Sequence, residues 1–135
     1  MIRLLLVDDQ DIFRQGLATL LSIEEDLEVI AQANNGNSAI ALAEKLQPDV
    51  ILMDIQMPIC NGVTATREIC RRYPWMRILV LTTFDDDEYI GQSLQAGAKG
   101  YLLKRKPAEE MAMAIRAVNH GYAQLSPEVA PKVFA

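Results

Sequence analysis

The chain has 135 residues, of which 50 % are hydrophobic and 23 % are charged, and its formal net charge is −5 at pH 7. This length fits one domain with a core of its own, and the composition is ordinary for a globular protein. An acidic chain without a basic stripe is poorly suited to gripping nucleic acid through its phosphates. No apolar run approaches the roughly 20 residues of a membrane span, and no export signal is evident, so a cytoplasmic protein without membrane contact is expected.

The chain has two cysteines, Cys60 and Cys70, and no CxxC motif. Without a histidine nearby they are a poor metal site, and we expect reduced, structural thiols. This pattern also favours a cytoplasmic protein.

Taken in chain order, apolar runs alternate with stretches of helical periodicity. Five runs predict strands at residues 4–7, 27–33, 50–54, 78–81 and 100–103. The stretches after them carry apolar side chains at helical spacing: Phe13, Leu17, Leu20 and Leu21; Ala39, Leu42, Ala43 and Leu46; Val63, Thr66, Ile69 and Cys70; Ile90 and Leu94; Met111, Ile115 and Val118. Five strands alternating with five helices predict an α/β fold with a doubly wound, five-stranded parallel sheet.

Several residues are typical of the turns and helix ends between these elements. Gly62 follows Asn61 and is expected to supply a positive φ in a tight turn. Pro107 suits the opening of the last helix, and His120, just before Gly121, suits its C-terminal cap. The acidic run 85–88 is typical of a helix N-terminus, and we assign it no chemistry.

The strands end in residues that carry chemistry. The first strand ends in Asp8 and Asp9, the third in Asp54, the fourth in Thr82 and the fifth in Lys104. Ligands of open α/β sheets bind outside the carboxyl ends of the strands, so these side chains are expected to converge. Crowded carboxylates need a counter-charge, which Mg²⁺ can supply. Together with a lysine and a threonine they suit phosphoryl transfer, in which an Asp carboxylate can itself be the nucleophile and form an aspartyl phosphate.

The same residues stand in recognisable motifs. The motifs are LLVDD at residues 5–9, LMDIQMP at 52–58 followed by NG at 61–62, LTT at 81–83, and GYLLK at 100–104. With them, residues 1–121 resemble the receiver domain of two-component response regulators, a signalling domain with a flavodoxin-like fold that is not an enzyme in the usual sense.

The resemblance implies a magnesium-dependent phosphoacceptor. Asp54 would accept a phosphoryl group from a sensor histidine kinase. Asp9, Asp54 and the backbone carbonyl of Gln56 would ligate Mg²⁺, and Asp8 would act mostly through a metal-bound water. Gln56 and Phe84 would tune the lifetime of the phosphoryl group.

The resemblance also implies a switch. Thr82 and Lys104 would bind the phosphoryl oxygens, and Tyr101 would swing inward when Thr82 moves. The change would reach the face built by the fourth helix, the fifth strand and the fifth helix. A homodimer through that face, or through the first and fifth helices, is expected.

Two further stretches narrow the resemblance. LTTFD at residues 81–85 and SPEVA at 126–130 are similar to the subfamily that carries a LuxR-type helix-turn-helix output domain. Residues 122–135 are then a linker-like tail toward an output domain that is missing from this chain. DNA binding and transcription regulation would belong to that output domain.

Simpler roles exist for three of these residues. Thr82 could be a strand-end hydroxyl that satisfies a backbone group, and Lys104 could be a solvated charge. Tyr101 could be a packed strand aromatic without a switching role.

Two other functions fit parts of the sequence. A small Mg²⁺-dependent phosphatase of the haloacid dehalogenase kind would use Asp9 and Asp11 as its Asp-x-Asp nucleophile motif. It leaves Asp54 unexplained, and the chain has no insertion large enough to enclose a substrate. A flavin or nucleotide carrier is disfavoured because the loop after the first strand lacks a phosphate cradle rich in Gly, Ser or Thr.

Overall fold

Parallel pairing joins every strand of the described chain into one sheet. The structure is a computed structural model that describes residues 1–57, 60–83, 87–122 and 124–125. In chain order its elements are β1 (Ile2–Val7), α1 (Asp11–Leu21), β2 (Leu27–Ala33), α2 (Gly36–Leu46), β3 (Val50–Asp54), α3 (Gly62–Arg72), β4 (Arg77–Thr82), α4 (Asp87–Gln95), β5 (Gly100–Leu103), α5 (Ala108–Asn119) and β6 (Gln124–Leu125). The strand order is β2-β1-β3-β4-β5-β6. The α/β prediction of five parallel strands and five helices is confirmed.

The sixth strand is an addition at the edge of the sheet. Its two residues pair in parallel with β5, Gly100 opposite Gln124 and Tyr101 opposite Leu125. The sequence placed these residues in the tail, because two residues are too few to show a strand period.

The winding of the sheet reverses between β1 and β3. The chain runs from β1 to β2 on one side and then returns to β3 on the other side of β1. This reversal makes the carboxyl ends of β1 and β3 the point where an open α/β sheet binds its ligands.

Both faces of the sheet are buried, which explains its uninterrupted apolar strands. Alternate residues of β3 face opposite layers, so that Ile51 and Met53 pack with α2, α3 and α4. Val50 and Leu52 pack on the other face with α1 and α5. One member of the predicted α1 stripe departs from this pattern. Leu20 is 51 % exposed, because Leu17 and Leu21 take the positions that face the sheet.

Gly62, at the start of α3, lies where the structure has no space for a side chain. Gly62 does not have the predicted positive φ; among the described glycines, positive φ occurs at Gly97 and Gly121. A Cβ on Gly62 would overlap the backbone oxygen of Asp54. The prediction was wrong because Asn61, instead of forming a tight turn, caps α3 by accepting a hydrogen bond from the backbone N–H of Thr64 at 2.9 Å.

Other helix ends follow the sequence. Asn35 caps α2 with a 2.9 Å hydrogen bond from the backbone N–H of Ser38, and His120 is the C-cap of α5, as predicted. Pro107 is the N-cap of α5. Asp85 and Asp86 of the acidic run lie outside the described residues.

Within the described ranges, every helix falls short of the length and apolar character that a membrane crossing requires.

Candidate functional site

The predicted site residues meet at the carboxyl edge of the sheet. Asp54 is the last residue of β3, and Asp8 and Asp9 follow directly on β1. In the register Val7 lies opposite Met53, Asp54 opposite Leu81, and Thr82 opposite Leu103, one residue before Lys104. The strand ends are therefore level with one another.

Three carboxylates form the centre of the site. One oxygen from each of Asp8, Asp9 and Asp54 lies within 4.8 Å of the others. Asp8 and Asp54 are 4 % and 5 % exposed, and Asp9 is open to solvent. The cluster is thus buried on the sheet side and accessible from outside.

Lys104 is the cation beside these carboxylates. Its Nζ lies 2.6 Å from Oδ2 of Asp8 and 3.5 Å from Oδ1 of Asp54. The residue is 8 % exposed, so the simpler role as a solvated surface charge is wrong.

Asp54 is hard to ionise in this setting. Its burial, reinforced by the negative charges of Asp8 and Asp9, raises the pKa of Asp54 to about 7, against the opposing effect of Lys104. A single ammonium therefore does not balance the three carboxylates.

The donor set suits a hard divalent cation. Mg²⁺ prefers carboxylate and carbonyl oxygens and usually keeps several waters. The buried oxygens of Asp8 and Asp54 with the exposed carboxylate of Asp9 offer such ligands and an open side for water or a phosphoryl group. Burial is the main cause of the raised pKa of Asp54, and the negative charges of Asp8 and Asp9, which add to it, are what a cation would offset.

The remaining predicted residues surround this centre. Thr82 ends β4 and is buried, and its backbone oxygen accepts a 2.7 Å hydrogen bond from the N–H of Lys104. Gln56 is exposed in the loop after β3. Tyr101 on β5 is fully buried in the core layer of α2, α3 and α4. Phe84 lies outside the described residues.

Three residues of α1 and its N-cap contact the site, although no chemistry was predicted for them. Gln10 Oε1 accepts a hydrogen bond from Lys104 at 3.1 Å, and Lys104 Nζ lies 4.8 Å from the centre of the Phe13 ring. Arg14 donates to the backbone oxygen of Asp8 at 2.7 Å and to Oε1 of Gln32 at 2.9 Å. Phe13 was assigned to the core by its helical spacing. For Gln10, its position directly after Asp9 was the only feature of the sequence that could have indicated a place at the site.

The Asp-x-Asp motif of the phosphatase alternative is not assembled at the site. Only Asp9 belongs to the carboxylate cluster. The side chain of Asp11 is 65 % exposed and pairs with Arg14 at 2.8 Å. Asp54, which that alternative leaves unexplained, lies at the centre of the cluster.

Known proteins share this chain's sequence and fold. The family model "Response regulator receiver domain" matches residues 4–116. The transcriptional regulatory protein LnrK of Bacillus subtilis strain 168 is 46 % identical over 129 residues, which cover 96 % of this chain and 59 % of LnrK. The transcriptional regulatory protein LiaR of the same strain is 46 % identical over 135 residues, which cover 100 % of this chain and 64 % of LiaR. The chain therefore spans less than two thirds of the length of these relatives.

A solved structure agrees with both findings. A two-component response regulator of the LuxR family from Aurantimonas sp. SI85-9A1 superposes with a TM-score of 0.92 at 32 % identity, covering 98 % of this chain and 94 % of that one. The comparisons give no support to a haloacid dehalogenase phosphatase. The relatives LnrK and LiaR are transcriptional regulatory proteins, and the superposed regulator belongs to the LuxR family. Because the family model matches residues 4–116, this chain belongs to the receiver domains of two-component response regulators.

Proposed function

We propose that Asp54 accepts a phosphoryl group in a reaction that depends on Mg²⁺. The observation that carries the proposal is the placement of Asp54, buried at the end of β3 between two further carboxylates and the ammonium of Lys104. The carboxylate of Asp54 attacks the phosphorus of the donor, an aspartyl phosphate forms, and the bond from phosphorus to the leaving group breaks.

Asp8, Asp9, Asp54 and the backbone carbonyl of Gln56 would hold the cation. When bound, Mg²⁺ offsets negative charge on the phosphoryl oxygens. The chain's own contribution is to keep Asp54 dry on the sheet side and to leave the approach past the exposed Asp9 open.

Lys104 and Thr82 would bind the phosphoryl oxygens. The role of Lys104 is supported by the distance of 3.5 Å between its Nζ and Oδ1 of Asp54. Thr82 is the last residue of β4, which pairs in parallel with β3, so Thr82 and Asp54 lie at the same carboxyl edge of the sheet.

The phosphoryl group would act on a distant surface through Thr82 and Tyr101. Tyr101 lies on β5, on the far side of β4 from β3. It pairs with Val80, which is two residues before Thr82 at the end of β4. A shift of Thr82 toward the phosphoryl group would then be passed through Tyr101 to the face formed by α4, β5 and α5.

The partners follow from this signalling role. A sensor histidine kinase would be the donor.

A second copy of the chain would bind through the α4-β5-α5 face or through α1 and α5, where Ile12 and Leu20 expose apolar surface. A DNA-binding output domain outside these residues would regulate transcription, the role for which LnrK and LiaR are named. The protein would act in the cytoplasm. An unchanged monomer mass in analytical ultracentrifugation with and without beryllofluoride would argue against the dimer.

Intact-mass spectrometry tests the phosphoacceptor. We expect incubation with acetyl phosphate and Mg²⁺ to add one phosphoryl group that hydroxylamine removes. The adduct should vanish without Mg²⁺ and in Asp54→Ala. Asp11→Ala is the matched control, because Asp11 is an exposed carboxylate outside the cluster, and this variant should still be phosphorylated. Phosphorylation that survives in Asp54→Ala would overturn the proposal.

A further inference from the structure

The first turn of α1 and its N-cap hold the ammonium of Lys104. Nζ is 2.6 Å from Asp8 Oδ2, 3.1 Å from Gln10 Oε1 and 4.8 Å from the centre of the Phe13 ring. Its distance to Asp54 Oδ1 is longer, at 3.5 Å. We call Asp8, Gln10 and Phe13 the ammonium seat.

Gln10 connects two parts of the site. Its backbone N–H donates to Oδ1 of Asp8 at 2.8 Å, while its side-chain oxygen accepts from Lys104. Gln10 is also the N-cap residue of α1, but its side chain makes no capping hydrogen bond. The side-chain amide is therefore available to act on Lys104 without a structural duty at the helix end.

The donors of Lys104 limit what it can bind at once. An ammonium has three N–H groups, and in this structure two of them are directed to Asp8 and Gln10. The third N–H can reach toward Asp54, whose Oδ1 lies 3.5 Å from Nζ. A phosphoryl oxygen on Asp54 that forms a shorter, charge-assisted bond with this N–H has to draw the ammonium away from Asp8 and Gln10. Gln10 is the one that yields more easily, because a hydrogen bond to a neutral amide is weaker than one to a carboxylate.

We propose that Gln10 is a positioning residue that draws Lys104 into the ammonium seat and away from the phosphoryl site on Asp54. This inference rests on the proposed function and adds its regulation: the amide of Gln10 weakens phosphoryl binding and favours the form without phosphate. The ring of Phe13 supports the same position of the ammonium through a cation–π contact.

Beryllofluoride, a phosphoryl mimic, tests the inference in the intact chain. In the presence of Mg²⁺ we expect Gln10→Met to bind beryllofluoride about two- to tenfold more tightly than the wild type, the range that one hydrogen bond is worth. Mg²⁺ affinity without beryllofluoride should change less than twofold, since the substitution leaves every carboxylate in place. Gln15→Met makes the same chemical change at an exposed position of α1 and should match the wild type.

A second measurement needs neither metal nor phosphoryl mimic. The protons of the ¹⁵N-labelled Lys104 ammonium should exchange with water faster in Gln10→Met, because one of their acceptors is lost. Gln15→Met should leave the exchange unchanged. Phe13→Leu, which removes the ring but not the amide, should shift beryllofluoride affinity in the same direction as Gln10→Met.

The outcomes separate the two proposals. Equal or weaker beryllofluoride binding by Gln10→Met, with normal binding by the wild type, overturns the role of Gln10 alone. Unchanged ammonium exchange in Gln10→Met overturns it as well. A wild type that binds no beryllofluoride with saturating Mg²⁺ overturns the proposed function, and the role of Gln10 with it.

Discussion

At the scale of single residues, burial and neighbouring charges set the protonation state of Asp54. Burial and two neighbouring carboxylates raise the pKa of Asp54 to about 7, although Lys104 lies 3.5 Å away. A carboxylate nucleophile must be ionised, and with this pKa a substantial share of the metal-free molecules keeps Asp54 protonated at neutral pH. A cation among the carboxylates favours their ionised forms and would remove this obstacle.

The pKa of Asp54 predicts how stability depends on pH without metal. Between the ordinary value of 3.8 and about 7 the folded protein holds a proton that the unfolded chain has released. The free energy of unfolding should therefore fall as the pH rises through this window. Asp54→Asn cannot release that proton, so at pH 8 its free energy of unfolding should exceed that of the wild type by on the order of 4 kcal/mol. Urea denaturation in EDTA at pH 5 and pH 8 measures the difference, and parallel pH dependences of the two proteins would contradict this prediction.

Gly62 carries a second prediction at the residue scale. A Cβ there would overlap the backbone oxygen of Asp54, so Gly62→Ala has to displace the end of β3 that bears Asp54. We expect a loss of roughly 2 kcal/mol or more in the free energy of unfolding, together with weaker Mg²⁺ binding. Gly16→Ala is the control, because Gly16 lies in α1 and a Cβ added there would meet no other atom within 4 Å. That variant should gain about 0.5–1 kcal/mol from its better helix propensity. Equal stability of the two alanine variants would refute the steric argument.

At the scale of elements, α3 and α4 contain an unusual feature. Thr66 on α3 and Ser93 on α4 are fully buried, and within the described part of the chain neither hydroxyl has a hydrogen-bond partner. Leaving a buried hydroxyl unpaired costs free energy that an apolar group of the same shape avoids.

Thr66→Val tests the cost of that hydroxyl. We expect the variant to raise the free energy of unfolding by about 0.5–1 kcal/mol, since the side chain keeps its shape and loses the unpaired group. Thr19→Val is the matched control on α1, where the hydroxyl is exposed and donates to the backbone oxygen of Gln15 at 3.1 Å. Thermal unfolding of both variants provides the comparison. A Thr66→Val protein less stable than the wild type would show that the hydroxyl is satisfied in solution.

The elements and the site were predictable to different depths. The apolar runs at 4–7 and 50–54 predict strands that are buried on both faces. The carboxylates at the ends of these runs predict a cluster, because parallel strands end at one edge of the sheet. The conformation of Gly62 was not predictable, since its constraint is the approach of Asp54 across the loop and leaves no local signal. Gln10 was missed for the same reason: its partner Lys104 is 94 positions away in the chain.

At the scale of the whole molecule, the fold separates its chemistry from its packing. The sheet interior is apolar on both faces, while the described acidic cluster and its lysine lie at the carboxyl edge, where the winding reverses. The aromatic pair Tyr73 and Trp75 lies at the opposite edge, in the segment that precedes β4, with ring centres 5.6 Å apart. A structural change at Asp54 can therefore reach the other surfaces only through shifts of the strands and helices between them.

The decisive measurement locates the phosphoryl group, which we expect on Asp54 at this edge of the sheet. The protein would be treated with acetyl phosphate and Mg²⁺, reduced with borohydride, which converts an aspartyl phosphate to homoserine, and digested for tandem mass spectrometry. We predict homoserine at position 54. Homoserine at position 8 or 9, with Asp54 unmodified, would contradict the account.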